Sequence, residues 1–250
     1  MGLLKKFTTF FKKRAFYREF VNFSELQKKT DARFRLSYKD AIPCLFDKTE
    51  QTQFDRHYVY HTAWAARILK KIDPKHHVDI SSSVYFSSIL SAFYPIDFYD
   101  YRPADIQLSN LKTCHADINK LPFEDSSVSS ISCMHVIEHI GLGRYGDALD
   151  PDGDLKAFNE LKRVVSDNGS LIIVIPMGEQ PIVHFNAHRV YDYDQIIRIF
   201  HGFELMEFAL IPEAWDNGGL LIDADKKNLE NETYACGCFW FTKKAHPCAE

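Results

Sequence analysis

The stretch Ala116–Gly141, ADINKLPFEDSSVSSISCMHVIEHIG, decides how the chain is read. It passes from an acidic turn through a Leu-Pro-Phe anchor and an Asp-Ser-Ser turn into Val128–Met134, rich in β-branched and small apolar residues. A short apolar run bounded by turn residues marks a buried strand. His135, Glu138 and His139 follow its C-terminal end, and that edge is where open α/β sheets bind ligands.

Other segments fall into register around it. Arg56–Lys71 has helical character and stops at Asp73-Pro74, where proline ends a helix. His77–Ile80 is then a first strand, followed by the turn Ser81-Ser82-Ser83. Pro95–Tyr101 is β-rich and places Asp100 about twenty residues beyond that turn, where an acid accepts ribose hydroxyls in dinucleotide folds. Asp97 is the second choice for that role. Leu111–His115 is a third strand, with Asp117 and Ile118 just after it.

Downstream, Asp154–Val165 has apolar residues at Leu155, Phe158, Leu161 and Val164/Val165, which is helical spacing, and Asp167-Asn168-Gly169 breaks it. Ser170–Pro176 is the apolar run of a strand inside a parallel sheet. Phe203–Ile211 and Tyr234–Lys243 are late strands. The alternation predicts a doubly wound α/β domain.

The pattern D…LPF.D.S…S..V.EH in Asp117–His139 resembles the segment between the third and fourth strands of class I S-adenosylmethionine-dependent methyltransferases. Glu160–Pro176, ELKRVVSDNGSLIIVIP, resembles the later segment E..RVL.PGG.L...VP of the same superfamily. The resemblance implies a Rossmann-like, seven-stranded, mostly parallel sheet with an antiparallel last strand. It also implies S-adenosylmethionine as cofactor, met by Asp79, Ser81, Ser83, Asp100, Asp117, Ile118 and His135, with Asp117 facing the adenine amino group. The chain departs from the superfamily at the turn, where Gly-x-Gly-x-Gly is replaced by Ser81-Ser82-Ser83. Glycine permits positive φ and close approach of backbone N–H groups, and a side chain there costs roughly 1–2 kcal/mol.

The runs HYVYHTAWAARIL, HVDISSS, FYDYRPA, SCMHVIEHIGLGRYGDALDPDGDLKAFNELKRV and FNAHRVYDYDQI together resemble one bacterial family of unknown function, between Phe54 and Ile211. That family is associated with surface-polysaccharide and glycosyl-transfer pathways, which implies a small sugar- or glycan-related acceptor.

Methyl transfer is an in-line displacement in which positioning supplies much of the rate. A base is needed when the acceptor is a hydroxyl or a protonated amine, and histidine suits neutral pH. His139 is the first candidate base, His188 the second, with His135 in the same catalytic group. His184, Asn186, Arg144 and Arg189 are candidate substrate contacts, the arginines for an anionic group. Two readings from other classes stand beside this one. The serine turn favours a non-catalytic binding or assembly module of glycan synthesis. His135-Val136-Ile137-Glu138-His139 matches the zinc-hydrolase pattern H-x-x-E-H, which requires a continuous helix. His57 and His61 share the four-residue spacing. No resident metal is expected in the methyltransferase reading. Asp150–Asp154 reads as a turn ahead of a helix rather than a calcium loop, because the glycine is misplaced.

The chain has 250 residues, a formal net charge of −4 and 46% hydrophobic residues, which suits a single α/β domain over residues 31–250 and excludes the large basic field of a nucleic-acid binder. Its six cysteines lack disulfide or zinc spacing and suit a reducing cytoplasm. Neither a membrane-spanning run nor a signal peptide is seen. Residues 1–30 form a distinct extension. Leu3, Leu4, Phe7, Phe10 and Phe11 share one helical face, and Lys5, Lys6, Lys12, Lys13, Arg14 and Arg18 supply positive charge. Such a helix either packs on protein or lies, through residues 3–20, on the inner face of an anionic membrane. Lys6 breaks the myristoylation pattern that Gly2 suggests.

Overall fold

A computed structural model describes residues 2–30, 33–214 and 218–245, with side chains from Phe7 onward. The chain divides into two compact units, Met1–Phe54 and Asp55–Glu250. The first unit extends past the N-terminal helix α1 (Gly2–Gln27) because the following segment packs back on it. The Tyr38 ring meets Tyr17 and Phe20 edge-on at 5.3 and 5.1 Å, and Lys12 Nζ sits 4.2 Å over the Phe46 ring. Phe7, Phe10 and Phe11 remain exposed on α1, but so does Phe23. At 3.6 residues per turn Phe23 lies roughly 160° from Phe7, so the apolar residues do not form one stripe. The side chains of Leu3, Leu4, Lys5 and Lys6 lie outside the described residues, as does Cys248.

The second unit contains a seven-stranded sheet in the order β3-β2-β1-β4-β5-β9-β8. Its strands are β1 (His77–Ile80), β2 (Ile96–Asp100), β3 (Leu111–His115), β4 (Val128–Met134), β5 (Val165–Met177), β8 (Phe203–Ile211) and β9 (Ala235–Lys243). Pairing is parallel from β3 through β5, while β9 runs antiparallel to both β5 and β8. This is the expected doubly wound sheet. A separate two-stranded hairpin, β6 (Ile182–His184) and β7 (His188–Val190), had no sequence signal of its own.

Helices cover both faces. On β5, Leu171, Ile173 and Ile175 enter one core with Phe158 and Leu161 of α4 (Gly153–Val164), whereas Ile172 and Val174 enter another with Trp64, Ile68 and Leu69 of α2 (Arg56–Ile72). Alternate residues of a strand point to opposite faces, so a continuous apolar run is what two covered faces demand. The expected apolar stripe of α4 needs one correction. Leu155 is 43% exposed, because Asp154, Ala157, Phe158 and Leu161 define the buried face. Helices α3 (Val84–Leu90) and α5 (Tyr193–Ile199) are short; a capping box at Asp192 and Gln195 starts α5.

A polar network lies between the central strands. The His77 ring is fully buried and bonds the hydroxyls of Ser130 and Ser132 at 2.8 and 2.9 Å. Ser132 donates to Asp79 Oδ1 at 2.9 Å, and Ser87 of α3 donates to Asp79 Oδ2. Burial raises the Asp79 carboxyl to about 6, against the opposing pull of the Ser82, Ser87 and Ser132 hydroxyls.

Two outcomes are expected. Ile173→Ala should lower the unfolding free energy by about 2–5 kcal/mol, and Leu155→Ala by less than about 1 kcal/mol. Equal losses in urea titrations would contradict the packing. Asp79 keeps its proton to about pH 6 when folded, but ionises near its ordinary 3.8 when unfolded. Between those values the folded state binds more protons, so this stabilisation is complete below about pH 4 and is lost as pH rises to about 6. Asp79→Asn stays neutral. Its stability relative to the parent should therefore improve across that window by on the order of 3 kcal/mol, and parallel pH profiles would refute the buried carboxyl.

Candidate functional site

The C-terminal ends of β1 to β5 converge on one edge, and the chain is shaped there by unusual backbone. Ser81 takes φ 54, the left-handed conformation that glycine favours, and its N–H and hydroxyl both donate to Tyr99 O, at 2.7 and 3.1 Å. Ser82 accepts from Met134 N–H at 3.0 Å, so the serine turn is pinned to the end of β4. His135 follows at φ 56, another left-handed non-glycine residue. Such residues cost on the order of 1–3 kcal/mol and cluster at functional sites. Gly141 at φ +79 is different: an added Cβ would lie 2.1 Å from Asp150 O, so only glycine allows that approach.

Two cavities open along this edge. The first, about 490 Å³, is lined by Ser81, Asp100, Asp117, Ile118 and Asn119 on one side and by His135, His139, Tyr145 and Asp147 on the other. The second, about 520 Å³, is lined by Asp55, His57, Tyr58, Glu138, Arg144, His188 and Tyr234. His135, His139 and Tyr145 line both. Volumes of this size suit small ligands.

The structure therefore gathers Ser81, Asp100, Asp117, Ile118 and His135 around one cavity, as their sequence positions suggested. Asp100 Oδ1 accepts from Arg102 N–H at 2.7 Å, and Asp117 Oδ1 from Asn119 N–H at 2.9 Å. Both bonds fix carboxylates at strand ends through local Asx turns. Asp97 points elsewhere, 3.3 Å from His76 Nε2. Two expected cofactor contacts are displaced. Asp79 is fully buried in the serine network, and Ser83 stands at the N-terminal boundary of α3, without a side-chain capping bond, beside an apolar pocket with Tyr85 and Phe86.

The candidate bases lie close together. His139 Nδ1 bonds Ala187 O at 2.6 Å, so Nδ1 carries the proton in the neutral ring and Nε2 is the acceptor. Glu138 is 1% exposed, with Oε1 3.0 Å from His135 Nδ1 and 3.7 Å from His139 Nε2. Glu138 thus holds His135, and lies near enough to His139 Nε2 to pair with it once that ring takes a proton. The H-x-x-E-H helix is absent: Ile137–His139 is one 3-10 turn entered directly from β4. His188 lies in the second cavity, 5.1 Å from the His184 ring and 4.9 Å from the Tyr234 ring. Burial, then the nearby His184, lower its pKa below the ordinary histidine value.

The expected substrate contacts separate. Arg144 lines the second cavity and stacks over Tyr145 at 5.2 Å, with Arg102 over the same ring at 5.1 Å. Arg189 does not reach either cavity. Its guanidinium is buried and bonds Ile140 O at 2.7 Å and Pro151 O at 3.1 Å, with Asp154 Oδ1 3.5 Å from Nε. It ties β7 to the loop before α4, which removes its donors from a substrate. His184 and Asn186 sit on the exposed β6–β7 hairpin and line neither cavity.

Several site residues had no assigned role in the sequence. Asp147 accepts from Gly141, Gly143 and Tyr145 N–H groups at 2.8, 3.3 and 3.2 Å. Burial pushes its carboxyl up, but these backbone donors outweigh it and hold the pKa below normal. His57 and His61, one turn apart on α2, flank His135 with ring centroids at 5.7 and 5.0 Å. Burial, then the neighbouring His135, lower them to about 4 and about 3. Their spacing was visible, but their common neighbour His135, far along the chain, was not.

A family model described as Caenorhabditis protein of unknown function, DUF268, matches residues 104–213. An uncharacterized protein of Methanocaldococcus jannaschii is 29% identical over 104 residues, which cover 40% of this chain and 40% of that protein. The match thus spans about two fifths of the relative's length. Among solved structures, one from a Haloferax volcanii complex between the Trm112 methyltransferase activator and a protein described as a methyltransferase aligns with a TM-score of 0.52. Identity is 18%, with 78% of this chain and 92% of that one covered. The [4+2]-cyclase SpnF aligns with a TM-score of 0.51 at 11% identity, over 74% of this chain and 82% of that one. At these identities the likeness is one of fold: the second unit has the class I methyltransferase Rossmann-like fold.

Proposed function

We propose that the protein transfers a methyl group from S-adenosylmethionine to a hydroxyl of a small, anionic, sugar-related acceptor. One observation carries this reading: two cavities at the C-terminal sheet edge share a wall of His135, His139 and Tyr145. A cofactor in the first and an acceptor in the second would come into contact where the two cavities adjoin, beside these three side chains.

The residues of the first cavity fit the cofactor. Asp100 offers acceptors for a ribose diol, and Asp117 one for an amino group. The Asn119 side-chain oxygen is buried without a hydrogen-bond partner, which suits a ligand N–H donor. Ser81 reaches the left-handed turn conformation without glycine. When bound, S-adenosylmethionine supplies an electrophilic methyl group on a sulfonium.

The chain's own residues do the rest. His139 Nε2 accepts the acceptor's hydroxyl proton as the oxygen attacks, because Nδ1 is committed to Ala187 O. His188, Tyr58 and Tyr234 surround the acceptor with polar edges on aromatic rings. Burial, then the Glu138 charge, keep both phenols protonated and able to donate. Arg144 holds the anionic group. The exposed Phe7, Phe10 and Phe11 beside Lys13 and Arg14 suit contact with an anionic membrane carrying lipid-linked acceptors. No helix among the described residues is long and apolar enough to cross a membrane.

A second reading, a binding or assembly module, is favoured by the serine turn, whose side chains occupy space that glycine leaves open. Calorimetric titration with S-adenosylmethionine separates the two. The enzyme reading predicts saturable binding that Asp100→Ala weakens by about 10- to 100-fold, with His184→Asn, which lines neither cavity, binding normally. A folded, monodisperse sample that binds none would favour the module.

A further inference from the structure

We propose that His57, His135 and Cys236 form an open site for a divalent cation of the zinc class. The inference does not require methyl transfer, although His135, which follows β4, borders both cavities; it rests on that ring with His57 of α2 and Cys236 of β9. The three ligand atoms lie within 4.8 Å of one another. The tightest pair, His135 Nε2 and Cys236 Sγ, is 3.4 Å apart. Tetrahedral zinc, with bonds of about 2.0–2.1 Å to nitrogen and 2.3 Å to sulfur, separates such a pair by roughly 3.6 Å. Little movement is needed there, and His57, on the first turn of α2, is half-buried with its ring stacked on that of His135 at 5.7 Å.

The surroundings are those of a metal ligand. His135 Nδ1 donates to Glu138 Oε1 at 3.0 Å, which leaves the Nε2 lone pair facing the Cys236 thiol. A carboxylate behind a ligating histidine fixes its tautomer and raises its basicity. Independently, two atoms bordering the cluster, Glu138 Oε2 and His61 Nε2, are buried with no hydrogen-bond partner among the described residues. Buried polar groups are ordinarily satisfied, and the His61 acceptor, whose ring lies 5.0 Å from that of His135, suits a nearby cation, while Glu138 Oε2 belongs to the carboxylate behind His135. On binding, the Cys236 thiol gives its proton to solvent and the thiolate and two neutral imidazoles coordinate the ion. The fourth position opens on the second cavity, where a water or a ligand hydroxyl completes the tetrahedron. This is not the H-x-x-E-H arrangement, since Glu138 stands behind the ligand and His139 bonds Ala187.

The full chain, stripped with chelator and dialysed, is titrated with Co²⁺ by absorption spectroscopy and with Zn²⁺ by calorimetry. One equivalent should bind, with a thiolate-to-cobalt charge-transfer band. Cys236→Ser should abolish the band. Should that buried substitution unfold the chain, His57→Asn carries the test alone, weakening Zn²⁺ at least about tenfold while circular dichroism is unchanged. Glu138→Gln should weaken binding by about 10- to 100-fold, and His184→Asn should leave it as in the parent. Absence of saturable binding, or binding that survives His57→Asn undiminished, overturns the site.

Discussion

A carboxyl group enclosed between two central strands is the constraint on which the ligand-binding edge depends. Asp79 on β1 has no access to water, so every lone pair must be met from within. Hydroxyls of Ser87 and Ser132 meet it directly, and Ser132 continues to the His77 ring. Ser82 ties the adjacent turn to Met134 N–H. The turn thus obtains from side-chain hydrogen bonds the definition that glycine-rich turns obtain from backbone freedom. Ser81 pays for this with a left-handed backbone, offset by its two bonds to Tyr99 O.

Glu138 organises the other half of the edge. One buried carboxylate faces His135 and His139, and its charge adds to burial in raising the pKa values of Tyr58 and Tyr234 across the second cavity. The strained His135 presents its ring to Glu138, Cys236 and the α2 histidines at once. Proton transfer at His139 and cation binding at His135 would therefore share a single positioning group, and a change at Glu138 should be felt at both.

The parallel strands were legible because a strand covered on both faces must be largely apolar, as Leu171–Ile175 is throughout and Ile131–Met134 is apart from Ser132. Strand-end acids were legible from their place: Asp100 ends a β-rich run and Asp117 follows the next strand by two residues. Residues whose role depends on distant partners were not. Cys236 meets His135 across 101 positions of sequence, and no local pattern records that encounter. Arg189 looked like an anion-binding donor, yet its fork is satisfied by Ile140 and Pro151 carbonyls. Leu155 matched helical spacing by residue type, while the buried face of α4 was set by Asp154 and its bond from the Tyr191 hydroxyl. Only packing distinguishes these cases.

Amide hydrogen exchange with and without S-adenosylhomocysteine tests the central claim, that a serine-built turn still forms a cofactor cavity. Slowed exchange confined to peptides containing Ser81–Ser83, Asp100–Arg102, Asp117–Asn119 and His135–His139 is the predicted result. Unchanged exchange at saturating ligand, or protection confined to other segments, would contradict it.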